Sequence, residues 1–445
     1  MEGTMSESSF KISMQWAPPF TPCDTEEEIS LGDMTIEANE QILTKNVSSI
    51  TESLRNSIRV SSYPLALWFT AYWWRLLYEP IPSGEQIEKS YSWKNSHSLA
   101  SANSGYIWPN ISFIPDGQFI TVISSQQFSD SKLPLFYLGS KDAIIVDNQV
   151  FISAIKDFIK LTIDRLNDFK KNNTNLHTLF MQLNNEMEDE DFALYRRVEA
   201  LLGYDPDEAP DNVIEKIETA LKIFNKRILT ELISACSINE TASPIADLES
   251  AISMSKTGVK GKWTNPLPIK IKSNMPPWET GRFLAKKLRT AIGNTDKKIE
   301  TKTLCDFLGI TAKEISNSYP AHDRFSVSHF NDDKLYINLK RESSSYYSTG
   351  RRFQISRLIG SLLAHTDENI FILSDCKTYS QKLQRAFAAE FLAPIDEVKN
   401  FIQKNVTTET IGKAADHFSV SPQTIAHSLT NHEIISKSQL SELVF

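Results

Sequence analysis

Residues 349–365 read TGRRFQISRLIGSLLAH and residues 380–394 read SQKLQRAFAAEFLAP. Both are helical in pattern. The first begins near Thr349, and the second stops at Pro394, which cannot continue a helix. Upstream, Pro277-Trp278-Glu279 opens another helix, ETGRFLAKKLRTAIG, closed by Gly293. KTLCDFLGI is a short helix ending at Gly309, and KLYINL, residues 334–339, reads as a strand. Downstream, TIGKAADHF and SPQTIAHSLTNH form a helix pair separated by Ser419-Val420. Ser421 is placed to cap the second of these, with Pro422 at its first helical position.

Further outward, residues 238–275 thin into polar sequence with Pro244, Gly258, Gly261, Pro266 and Pro268, the composition of a linker. From about Val150 to Cys236 the pattern is helical. FISAIKDFIKLTIDRLNDF carries its apolar residues on one broad face, and FALYRRVEALLG ends at Gly203. A mixed α/β stretch precedes it. There, ISFIPDGQFITVISS, residues 111–125, sets two apolar runs about Pro115-Asp116-Gly117, which predicts a hairpin. Residues 1–45, with Pro18, Pro19, Pro22 and Glu26-Glu27-Glu28, read as an irregular acidic lead-in. No internal repeat is present, which disfavours a solenoid. The expected fold is therefore α+β. A lead-in (1–45) is followed by a mixed α/β and then helical N-terminal domain (46–237), a linker (238–275) and a C-terminal domain (276–445), mostly helical with a small sheet.

The chain has 445 residues, of which 41% are hydrophobic, enough for more than one core. Its 47 Lys and Arg against 55 Asp and Glu give a formal net charge of −8, which does not favour non-specific binding to nucleic acid or anionic lipid. Cys23, Cys236, Cys305 and Cys376 form no CxxC pair and read as reduced thiols in a cytoplasmic protein. MEGTMSESSFKISMQW lacks a basic region followed by an apolar core and is not read as a secretory signal. YPLALWFTAYWWRLLY, residues 63–78, is short for a bilayer span and contains Arg75. The helical spacing of Trp68, Trp73 and Trp74 makes it a buried helix, and no membrane partner is expected.

The ordered set PPWETGRFLAKKLRTAIG, CDFLGI, YINL, RRFQISRLIGSLLAH, QRAFAAEFLAP and ADHFSVSPQTIAHSL resembles the ImmA/IrrE metallopeptidase domain over roughly residues 276–440. RRVEALLGYDPDEAP resembles the N-terminal half of long proteins of that kind. The resemblance implies a zincin-like fold with an HExxH helix, whose two histidines hold zinc while the glutamate acts as general base. A downstream acidic residue completes the ligands. This chain departs at each slot. Arg357 stands at the first histidine, Leu358 at the glutamate, Ser361 at the second histidine, and Gln381 near the acidic ligand, with Gln384 also neutral. Arg357 has no lone pair to give, Ser361 and Gln381 are poor zinc ligands, and Leu358 cannot take a proton from water. The expectation is a pseudoenzyme without metal or other cofactor.

The remaining histidines of this region, His322, His329, His365, His417, His427 and His432, show no i, i+4 pair flanking a glutamate and read as ordinary surface or capping residues. Glu390 reads as a structural helix residue bonded to a neighbouring turn. No phosphate loop, dinucleotide fingerprint or nucleophile elbow is present. ESSSYYSTGRR, residues 342–352, reads first as a loop. As an interaction surface, Tyr346, Tyr347, Arg351 and Arg352 would act with Arg357 and His365. The 410–430 helix pair looks like a helix-turn-helix, but its second helix offers Gln423, His427 and Asn431 with no Arg or Lys, so a packing role is expected.

Three functions follow. The first is a catalytically inactive scaffold, adaptor or sensor with protein partners in a bacterial multi-protein system; family context suggests phage defence or mobile-element control. The second is a divergent zinc endopeptidase. The third is a DNA-binding regulator or toxin–antitoxin component. The sequence leaves the oligomeric state open.

Overall fold

The structure is a computed structural model that describes residues 8–18, 24–82, 91–126, 133–236, 244–267, 275–316, 322–341, 349–403, 406–436 and 439–440. Pro19, Pro22, Cys23, Pro268, Tyr346 and Tyr347 lie outside the described residues. The chain divides into two compact units, Met1–Asp211 and Asn212–Phe445.

In the first unit, β1 (Phe10–Trp16) and β2 (Leu31–Ala38) pair antiparallel in full register, from Phe10↔Ala38 to Trp16↔Gly32. The lead-in expected to be irregular thus contributes two paired strands. Alternate residues Met34, Ile36 and Ala38 are buried, so the side-chain period of a strand outweighs the prolines and glutamates between the two runs. β3 (Ile58–Ser61) pairs with β2 and leads into α1 (Ser62–Ala71), with Ser61 accepting from the Tyr63 N–H as its cap. α2 (Trp73–Tyr78) and α3 (Tyr91–His97) follow. The tryptophan-rich run is buried in α1 and α2, and no helix among the described residues is long and apolar enough to cross a membrane.

β4 (Ile111–Pro115) and β5 (Phe119–Ser124) form the expected hairpin. Asp116 Oδ1 accepts from the N–H groups of Gln118 (3.1 Å) and Phe119 (2.8 Å), and Gly117 takes φ +96°, where a side chain would be strained. β6 (Ile144–Asp147) joins the other edge of β5, then α4 (Asn148–Asp168), α5 (Asn175–Glu188) and α6 (Glu190–Leu201) complete the unit. Phe10, Trp68, Phe69, Phe113, Phe151 and Phe158 anchor its core.

Two buried arginines tie this unit together. Arg75 makes a bidentate pair with Glu79 (2.9 and 3.0 Å) and reaches Asp205 (3.0 Å). Arg196 joins Glu186, Glu199 and Asp207 at 2.8–3.0 Å. Beside the first, His97 is fully buried and stacked on Trp93 with ring centroids 4.2 Å apart. Burial pushes its pKa down to about 3. The unfolded chain therefore takes up a proton near the ordinary histidine value that the folded chain refuses. Stability is full above about pH 6.5 and falls as the pH drops toward about 3, by about 2 kcal/mol between pH 6.5 and 5. Urea titrations at the two pH values, read by tryptophan fluorescence, test this. His97→Gln is expected to remove its own share of the slope and leave that of His365, whose pKa is also lowered by burial, and an unchanged slope would refute the assignment.

The second unit opens earlier than the linker expectation allowed. α7 (Lys226–Cys236), α8 (Pro244–Met254) and β7 (Val259–Gly261) all belong to it. Pro244 is the first residue of α8 and not a break, since proline is tolerated in the first turn. Asn338 Nδ2 donates to the Met254 and Thr257 carbonyls at 2.7 Å, docking the end of α8 on the sheet. That sheet is antiparallel, in the order β7, β9 (Lys334–Asn338), β8 (Phe325–Asn331), β10 (Ile370–Ser374). α9 (Pro277–Ala291), α10 (Thr349–Ala364) and α11 (Tyr379–Leu392) form the main helical layer, and α12 (Thr408–Phe418) and α13 (Pro422–Asn431) close the unit. The 410–430 pair is a packed pair, with Ile411, Phe418, Ile425 and Leu429 buried. Cys236, Cys305 and Cys376 are buried free thiols.

α9 and α11 approach closely at Gly281, where an added Cβ would lie 2.5 Å from the Leu383 carbonyl oxygen and 2.8 Å from the Phe387 nitrogen. Backbone cannot yield as a flexible side chain does. Gly281→Ala is expected to cost about 1–3 kcal/mol, measured by thermal unfolding.

Candidate functional site

α10 carries Arg357 and Ser361 at four-residue spacing on one stripe of its surface, and His365 follows just past its end. α11 begins at a capped N-terminus, where Thr378 Oγ1 accepts from the Gln381 N–H, and turns Gln381 and Gln384 toward that stripe. The positions that the resemblance places in the ligand slots therefore meet in space. Arg357 Nη2 donates to Gln381 Oε1 (2.7 Å), Gln384 Oε1 (3.3 Å) and the Ser374 carbonyl (2.5 Å). Gln384 Nε2 donates to Ser361 Oγ (3.3 Å) and to the Ile372 carbonyl (3.1 Å). Arg357, Ser361, Gln381 and Gln384 are 4, 2, 0 and 1% exposed. Leu358 turns into the hydrophobic core instead.

The helix that covers this cluster lies in the stretch read as helical up to Cys236 but assigned to the N-terminal domain, and its place in the second unit was not expected. α7 lies along the cluster with Arg227, Glu231 and Ser234. Glu231 Oε2 accepts from Gln381 Nε2 (3.0 Å) and Thr378 Oγ1 (2.7 Å). Arg227 Nε donates to Glu368 Oε1 (2.7 Å), and Cys376 Sγ donates to the Ser234 carbonyl (2.7 Å). The only available signal was a lone glutamate in the apolar run ILTELISAC. Burial, then repulsion from Arg385, lowers the Arg357 pKa to about 9, while Asp375 and Glu231 hold the charge in place. The guanidinium is still protonated at neutral pH.

These residues do not fit zinc. A cation occupies the first slot, its donors already engage both glutamines, and the base position is aliphatic and in the core. Among the described residues no three His, Cys, Asp or Glu side chains gather into a metal-binding group.

The other candidate interaction residues are not brought to one surface. Arg352 is buried, donating to the Ser419 and Ile299 carbonyls and to Thr301 Oγ1. His365 is half-buried against Ser380, and burial, then Arg227, lowers its pKa to about 4. Arg351 donates to the Lys340 carbonyl at 3.2 Å. The expected surface pairing of Arg351 and Arg352 with Arg357 and His365 is thus replaced by internal hydrogen bonds. Glu390 is buried, with Oε2 accepting from the Ile395 N–H of the next turn (3.3 Å), as a structural helix residue would.

A cavity of about 820 Å³ opens on the other side of α11. Lys382, Arg385, Ala386, Ala389 and Glu390 line it, whereas Gln381 and Gln384 face the buried cluster. Its far wall carries Gln423, His427 and Asn431 of α13. Compared with protein-family models and with curated proteins, the chain matches none.

Proposed function

We propose that the second unit is an ImmA/IrrE-type peptidase domain that has lost its metal and works as a non-catalytic scaffold, adaptor or sensor module in a bacterial multi-protein system such as phage defence or mobile-element control. The observation that carries this reading is the Arg357 cluster. Residues at the slots implied by the resemblance, although 24 positions apart in the chain, meet through hydrogen bonds where a metal ion would sit, with only the Arg357 Nε left unpaired among them. A guanidinium among amide oxygens supplies the central positive charge that zinc would have supplied, but cannot polarise a water or a scissile carbonyl. Glu231 and α7 close the position from above.

The test is metal analysis of the purified chain together with a casein-cleavage assay with and without added zinc. Substoichiometric zinc and no zinc-dependent cleavage are expected. One zinc per chain with chelator-sensitive cleavage would overturn the proposal.

A further inference from the structure

We infer that the cavity on the far face of α11 binds a nucleotide. It shares Arg385 with the surroundings of the Arg357 cluster, since both arginines donate to the Ser374 carbonyl, but it uses none of the metal-slot residues, so its failure is distinguishable from failure of the pseudopeptidase reading.

Four cationic side chains line the cavity: Arg282 of α9, Lys377 just before α11, and Lys382 and Arg385 on α11. The single carboxylate in the lining is Glu390. Such an excess of positive charge is notable in a chain of formal net charge −8. Arg282 and Lys377 make no hydrogen bond with any described residue, although Glu390 and Glu279 attract Arg282, and Arg385 donates to the Ser374 and Cys376 carbonyls while Asp375 attracts its charge. Lys377 is held below its ordinary pKa by burial and then by repulsion from Arg385 and Lys382, strain that a bound anion would relieve.

The rest of the lining favours a nucleoside over a bare anion. Trp278 and Phe353 supply aromatic faces for a base. Glu390 is buried, with Lys286 Nζ 3.8 Å from its Oε1 and Arg282 also attracting it, so it offsets only part of the positive charge around the cavity. The volume of about 820 Å³ suits one small-molecule ligand. A nucleic-acid strand is the weaker fit, because α13, the helix that would read bases, brings no Lys or Arg to the wall.

Isothermal titration of the full chain at low salt with ADP, inorganic pyrophosphate, adenosine and a single-stranded oligonucleotide tests this. ADP is expected to bind, pyrophosphate to bind more weakly and compete with it, and salt to weaken both. Lys377→Glu and Lys382→Glu should each weaken ADP by about tenfold or more, while Lys334→Glu, a matched charge change on β9, leaves it unchanged. Trp278→Ala should weaken ADP and spare pyrophosphate. Absence of ADP binding up to about 1 mM overturns the inference. So does pyrophosphate binding as tightly as ADP, or oligonucleotide binding that ADP cannot displace.

Discussion

Arg357→Ala is expected to destabilise the second unit by about 3–5 kcal/mol, the range for removing one member of a buried charged network. The loss has three parts. Gln381 Oε1, Gln384 Oε1 and the Ser374 carbonyl lose a shared donor. Glu231 loses the nearby buried cation that offsets its charge. The long side chain leaves a void among α10, α11 and β10. Urea unfolding followed by circular dichroism measures it, and Arg357→Met separates volume from charge: methionine restores bulk and recovers only part of the loss. A change of less than about 1 kcal/mol for the alanine variant would show that the guanidinium is not structural, and would return the slot to the list of sites kept for chemistry.

A loss of similar size is expected in the first unit for Arg75→Ala. Arg75 is 4% exposed and holds Glu79, itself 7% exposed, by two parallel bonds of 2.9 and 3.0 Å. Alanine leaves Glu79 in the interior with, among the described residues, only the Ser96 hydroxyl donating to it at 3.0 Å. Stranding that charge costs about 3–5 kcal/mol. The double variant Arg75→Met, Glu79→Leu removes both charges while keeping volume, and should be more stable than Arg75→Ala alone. Chemical denaturation of the three proteins decides it. A double variant no better than the single one would mean that packing, not the unpaired carboxylate, sets the cost.

What could be read from the sequence was local. The 111–125 hairpin follows from the turn chemistry of Pro115-Asp116-Gly117, which acts over a few residues. The joining of Arg357 and Ser361 on one face follows from helical spacing alone. Long-range contacts were not legible. Glu231 and Gln381 are 150 positions apart, and only the folded chain reveals their bond. Arg352 looked like a loop residue beside aromatic neighbours, yet it spans two segments by donating to Ser419 and Ile299. Pro244 looked like a break but starts a helix. The cavity needed α9, α11 and α13 side by side before its four cations became a group, since Arg282 and Lys382 are 100 positions apart.

The covering helix α7 changes where this molecule is divided. A shortened protein beginning at Pro276 would keep every motif of the peptidase resemblance and still lack Glu231 and Ser234. The hydrogen-bonding side of Gln381 and the thiol of Cys376 would then open to water. The smallest portable module therefore begins near Asn212. Any lineage that fuses, swaps or duplicates this module must carry about sixty residues of apparently unrelated upstream sequence with it.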